Sequence, residues 1–186
     1  ISILLMGCTD PEKKKTNHYN KGVEYIEKED FNSAIIEFQN AIKIDPKYAD
    51  AHYQLGLVFI KTEQSGRAFK ELMKTIDLKP DNLDAQLKVG IILLLAKKFD
   101  ASREQALKIL EMDPKNVEGL NLLAASQFAE GQYDEATVTI DKAIAINPQK
   151  ETLYLTKANI EVKKNNELEA ENLLLKAIEL APNNIS

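Results

Sequence analysis

Residues 31–61 read FNSAIIEFQNAIKIDPKYADAHYQLGLVFIK, and this stretch decides the fold. Its first half carries Ala34, Phe38 and Ala41 at the three- and four-residue spacing of a buried helical stripe. Its second half, AHYQLGLVFIK, is another segment of the same kind. Between them stands Pro46, which has no amide hydrogen to donate and restricts the residue before it. The first helix therefore stops there and the chain turns.

Working outward, Pro46 is followed by Pro80, Pro114, Pro148 and Pro182, each at the same interval from the last. Four equal intervals make the period a property of the fold, and a period of this length marks a repeat array. Frames closing two residues after each proline run 15–48, 49–82, 83–116, 117–150 and 151–184. Other columns then align. The eighth position reads Gly22, Gly56, Gly90, Ala124 and Ala158, and the twentieth reads Ala34, Ala68, Ser102, Ala136 and Ala170. Small residues at both places let two helices approach closely. The eleventh position holds Tyr25, Phe59 and Leu93, then departs at Gln127 and Glu161, while the twenty-fourth holds Phe38, Leu72, Ala106, Ile140 and Leu174. Each frame thus reads as two helices joined by a short polar turn, such as KED before Phe31 or EGQ before Tyr133. No window shows sustained strand-type alternation, and the expected fold is all-α.

These columns resemble the tetratricopeptide repeat, a 34-residue helix–turn–helix with Leu-Gly, Tyr, Ala, Phe and Pro landmarks. The first frame matches at Gly22, Tyr25, Ala34, Phe38, Ala41 and Pro46, and the second adds Leu55-Gly56 and Phe59. The family's tryptophan at the fourth position is replaced by His18, His52, Gln86, Leu120 and Tyr154. The resemblance implies a right-handed superhelical solenoid of antiparallel helix pairs, with five repeats over 15–184 and residues 185–186 opening a further one. Repeat arrays need a polar terminal cap. Since no capping helix follows Pro182, Leu173, Leu174, Ile178 and Leu180 are expected to lie partly uncovered, and the chain reads as the N-terminal piece of a longer array.

The 186-residue chain carries a net charge of −5, which argues against nucleic acid as a partner. One cysteine excludes an internal disulfide framework and any cysteine-rich zinc site. His18 and His52 share the fourth position but have no evident third ligand, so they read as occupants of the missing aromatic slot rather than as metal ligands. No glycine-rich phosphate loop, GxSxG or paired cysteine and histidine occurs within the repeats. Carboxylate runs such as EKED and KNNELEAE read as solvated faces. No catalytic residue, metal, cofactor or small-molecule substrate is expected. The apolar run Val89–Ala96 lies between Lys88 and Lys97 and falls short of the ~20 residues a bilayer requires. It reads as the first helix of the third repeat, with some of its apolar excess facing the inner curve.

Residues 1–14 stand outside the repeats. Ile1, Ile3, Leu4, Leu5 and Met6 form an apolar run before Gly7-Cys8, and Leu5-Met6-Gly7-Cys8 resembles a bacterial lipobox. The run then reads as the end of a signal peptide, with Cys8 the lipid-bearing first mature residue and Asp10 to Lys15 a charged spacer. Thr9, in place of the aspartate that favours inner-membrane retention, points to the periplasmic face of the outer membrane. The competing reading is an unmodified thiol on a soluble cytoplasmic adaptor.

Function in such a family is expected in the concave groove, lined by the first helix of each repeat at its second, fifth, ninth, twelfth and thirteenth positions. The fifth and ninth positions are Tyr19 and Val23, Tyr53 and Leu57, Leu87 and Ile91, Asn121 and Ala125, Leu155 and Asn159; Phe128 adds a twelfth. Co-chaperone members clamp a C-terminal carboxylate with Lys and Asn there, a pattern that Tyr19, Val23, Tyr53 and Leu57 do not match. The remaining trough is apolar and aromatic, with Asn121 and Asn159 at its far end, and suits an apolar-anchored segment of a protein partner. Position counting leaves open which of these residues merely pack between helices. Lipobox, spacer and array together resemble repeat lipoproteins of PEP-CTERM exosortase and exopolysaccharide systems, or shorter ones supporting pilus secretin assembly or outer-membrane protein insertion. The rival reading is a targeting module for an enzyme domain beyond Ser186.

Overall fold

The computed structural model describes residues 10–181. Cys8, Thr9, Pro182 and the residues after it lie outside them. Ten helices follow in order: α1 (Pro11–Glu27), α2 (Phe31–Ile44), α3 (Ala49–Lys61), α4 (Ser65–Leu78), α5 (Leu83–Leu95), α6 (Phe99–Met112), α7 (Val117–Ala129), α8 (Tyr133–Ile146), α9 (Glu151–Lys163) and α10 (Glu167–Leu180). No described residue is in a strand, and no described helix is long and apolar enough to cross a membrane. The chain divides into two compact units, Ile1–Ala85 and Gln86–Ser186.

Each helix pair closes through the same turn. Position fifteen of every frame is left-handed: Glu29 at φ 56°, Glu63 at 58°, Lys97 at 58°, Gly131 at 81° and Asn165 at 61°. The next amide then reaches back five residues, as in Asp30 to Tyr25 and Gln64 to Phe59, both carbonyls at position eleven. This satisfies carbonyls orphaned at the helix end. Between pairs, Asp45, Asp113 and Asn147 accept from the amide two residues on, across the intervening proline. These side chains turn the chain locally while proline prevents the helix from continuing.

In the first unit, α1 packs on α2, α3 on α4, and α2 on α3, with α1 also beside α3. Gly22, Ala34 and Phe38 are buried, as are Gly56, Ala68 and Leu72. A Cβ on Gly22 would lie 2.6 Å from the Phe38 ring, so glycine is required by the close approach of a large neighbour. In the second unit, Leu120, Ala124, Ala136, Ile140, Ala143, Leu153 and Ile160 form one buried cluster. There Ser102 replaces the usual alanine and donates to the Gly90 carbonyl at 2.9 Å, with Ser126 Oγ 2.9 Å from its own oxygen. A hydroxyl at a buried helix contact is thereby satisfied rather than stranded.

Two expectations need correction. The stretch 10–15, read as a spacer, is the start of α1, helical from Pro11 onward. Asp10 caps α1 by accepting from the Glu12 amide, and Pro11 occupies the first turn, where its missing amide hydrogen costs nothing. In α5, Val89, Gly90 and Leu93 are buried while Ile91 and Leu95 are 38% and 78% exposed, which leaves part of its apolar run uncovered as expected. Of the α10 residues expected to lie uncovered, Leu174 and Ile178 are 42% and 45% exposed, whereas Leu173 is buried.

Candidate partner-binding faces

The first helices of successive repeats run side by side, α1 with α3 in the first unit and α7 with α9 in the second. The eighth and twentieth positions of the repeat separate by burial from the fifth and ninth. Every residue at the eighth and twentieth positions is buried. None of Tyr19, Val23, Tyr53, Leu57, Leu87, Ile91, Asn121, Ala125, Phe128 and Asn159 is. The residues expected in a groove are thus accessible.

In the first unit the aromatic residues are held firmly. The Tyr19 ring meets Phe38 edge-on at 5.8 Å and Tyr48 at 5.2 Å, and the Lys15 ammonium sits 4.8 Å over Tyr48. Burial, then the Asp50 charge, raises the Tyr19 phenol above its usual range. Tyr53 donates its hydroxyl to the Asp84 carboxylate, and burial followed by this hydrogen bond raises its phenol as well. Both tyrosines therefore present neutral hydroxyls. Asp50 bridges Lys79 at 2.7 Å. The face combines two rigid aromatic rings, Val23 and Leu57 with acid-bearing hydrogen bonds along its edge.

The second unit offers a different surface. Leu87 and Ala125 are half-buried and Ile91 is exposed. Asn121, read as a polar residue at the far end of the trough, accepts from Thr156 Oγ1 at 2.8 Å through its side-chain oxygen. Phe128 stacks obliquely on Tyr133 at 5.8 Å. Asn159 is exposed. Next to this face, Gln127 Oε1 and Thr152 Oγ1 are buried without a hydrogen-bond partner among the described residues.

Sequence reading missed two features. The second position of the repeat carries Asp50, Asp84 and Glu118, and each is engaged: by Lys79, by Tyr53, and by Lys150 at 2.5 Å. An acidic column recurring in successive frames at a groove position was the available signal. The histidines are the second. His18 Nδ1 lies 2.6 Å from Glu37 and His52 Nδ1 lies 2.6 Å from Glu71, both pairs 19 residues apart. His52 Nε2 faces the Pro46 carbonyl at 3.1 Å, which can only accept, so that nitrogen carries a proton. The histidines fill the fourth position as expected, and each joins its first helix to its second through a carboxylate. No group of three metal-ligating side chains exists among the described residues.

With the geometry in view, comparison with known proteins agrees. Family models described as TPR repeat or tetratricopeptide repeat match residues 22–62, 49–82, 106–137 and 127–186. No curated protein sequence matches the chain. Among solved structures, MamA from Desulfovibrio magneticus RS-1 is similar at 17% identity and a TM-score of 0.80, covering 93% of this chain and 98% of that one. A second MamA crystal structure aligns at 20% identity and 0.79, covering 94% and 98%. YrrB, described as "a TPR protein with an unusual peptide-binding site", aligns at 19% identity and 0.71, covering 90% of this chain and 86% of its own. At such identities the likeness carries the fold alone.

Proposed function

Because this chain is a tetratricopeptide repeat protein, we propose that it is a non-catalytic scaffold whose first-helix faces hold a segment of a partner protein. The observation that carries the reading is the split in burial: the eighth and twentieth positions are sealed while Tyr19, Val23, Tyr53, Leu57, Ile91 and Ala125 stay accessible. Rings with one polar edge bury large area at small entropic cost, which is what a recognition surface needs. The peptide-binding site described for YrrB is consistent with this use of the fold. Replacing Tyr53, Leu57 and Ile91 by glutamate, singly and together, should abolish capture of the native partner while circular dichroism stays unchanged. Retained capture by the triple variant rejects these faces.

The finer reading puts the scaffold on the periplasmic face of the outer membrane, tethered through lipid on Cys8, in assembly of an exopolysaccharide or pilus export system. Its support is the Leu5-Met6-Gly7-Cys8 motif with its apolar lead and the neighbouring Thr9. Expression behind a full leader followed by mass measurement of the mature N-terminus tests it. A diacyl- or triacyl-modified Cys8 is expected, and an unmodified thiol removes the anchor.

A further inference from the structure

The outer side of the first unit holds a feature that partner binding on the first helices does not use. Helices α2 and α4, with α3 beneath them, enclose a cleft of about 850 Å3. Its wall is apolar through Ile42, Phe69 and Met73, and its rim carries Lys43, Lys70 and Lys74. All three lysines are exposed, and none forms an ion pair among the described residues. Of the two carboxylates that line the cleft, Glu71 is already bound to His52, which leaves Asp77. In a chain of net charge −5, this is a local excess of positive charge around an apolar floor.

Helix α10 has the complementary character. Leu168 and Leu175 are 75% and 57% exposed and lie two turns apart on one stripe. Glu171 stands between them on the same stripe, and Glu167 precedes it. Neither glutamate forms an ion pair among the described residues. The column of Leu168 is outward-facing in the other repeats too, at Asn32, Gly66, Asp100 and Asp134, but there it is never a large apolar residue. From 168 to 175 the stripe is about 10 Å long, and the α4 residues lining the cleft, 69 to 77, span about 12 Å.

We propose that the cleft of one copy receives α10 of a second copy. Leu168 and Leu175 enter between Ile42, Phe69 and Met73, while Glu167 and Glu171 meet Lys43, Lys70 and Lys74. Charge and apolarity match in both members, an amphipathic helix laid in a groove. The two surfaces differ, so the contact is heterologous and joins copies head to tail. One helix in one cleft buries less than the area of a standard stable interface, so association is reversible and weak.

Sedimentation velocity on the whole chain tests the proposal, across concentration and at two ionic strengths. Mean mass should rise with concentration at about 0.01 M salt and fall back at about 1 M, as the screening length drops from about 30 Å to about 3 Å. Lys70→Glu with Lys74→Glu, and separately Glu167→Lys with Glu171→Lys, should each abolish the rise. Mixing those two variants should restore association, since the parent cleft of one meets the parent α10 of the other and the reversed cleft meets the reversed α10. The chain carrying all four substitutions should associate again. Lys108→Glu with Lys142→Glu, the same charge change on α6 and α8, should leave association intact. Circular dichroism confirms that each variant is folded. A chain that stays monomeric at low salt overturns the proposal, as does association indifferent to the cleft reversal or a mixture that fails to pair. A monomer that binds anionic vesicles through Lys70 and Lys74 overturns it in favour of a lipid surface.

Discussion

The first and fourth repeats fill one helix contact in opposite ways. In the first, position eight is Gly22 and its partner at position twenty-four is Phe38, a fully buried ring. In the fourth, Ala124 shares its cluster with the smaller Ile140. Volume removed from one side is returned on the other, so the helices come close in both. A column of small residues is therefore half of a rule whose other half is the neighbour it admits.

The sharpest way to break that comparison is to enlarge the small side alone. Gly22→Val should cost about 3 kcal/mol, because the Phe38 ring has nowhere to go. Adding Phe38→Leu should recover part of the loss, whereas Ala124→Gly should cost only about 1 kcal/mol. Urea unfolding of the three variants measures this, and equal losses for Gly22→Val and Ala124→Gly would refute the volume exchange.

The next comparison concerns the fourth position. It is His52 against Glu71 in the first unit and Leu120 in the second, and all but Glu71 are buried. Glu71→Ala should cost about 2 kcal/mol, since it strands a buried imidazole. His52→Leu with Glu71→Leu should return to within about 1 kcal/mol of the parent, because an apolar pair can replace a hydrogen-bonded polar one. A double variant as unstable as the single one would show that the pair does more than fill space.

A smaller effect contrasts the turns. Glu63 holds a left-handed conformation that Gly131 adopts freely. Glu63→Gly should stabilise by about 0.5 kcal/mol, the relief of strain exceeding the added freedom of the unfolded chain. Gly131→Ala should destabilise by about 1 kcal/mol. The smallest effect lies in acid. A hydrogen bond from the Lys15 ammonium, then one from the Lys47 amide, holds the Asp45 carboxyl below the usual range. A lowered folded value means this contribution is present above the unfolded value of about 3.9 and is lost as pH falls below it. Asp45→Asn should flatten the stability profile below about pH 4, and an unchanged acid limb would show that the pair is screened out by solvent.

Legibility followed the physics of each feature. Proline spacing marked the helix ends, because the missing amide acts locally: α2, α4, α6 and α8 each end two residues before their proline. The small columns were readable for the same reason. The turn residues were not, since Glu29, Glu63 and Lys97 are left-handed without being glycine, and only their place in the repeating frame betrays them. The His–Glu pairs and the Tyr53–Asp84 bond join residues 19 and 31 apart, and such contacts depend on how helices are rotated against each other. Groove and packing positions could not be told apart by counting, because burial is a property of the neighbouring helix. Asn121 shows the cost: counting places it in the trough, and its bond to Thr156 depends on the next first helix.

Site-specific photo-crosslinking in the native host cell addresses the central claim directly. A benzoyl-phenylalanine placed at Val23, Leu57 or Ala125 on the first helices should capture a foreign protein. The same group at Ile36 or Val138, on second helices and 57% and 56% exposed, should not. Foreign-protein adducts arising only from Ile36 and Val138 would contradict the assignment of partner binding to the first-helix faces.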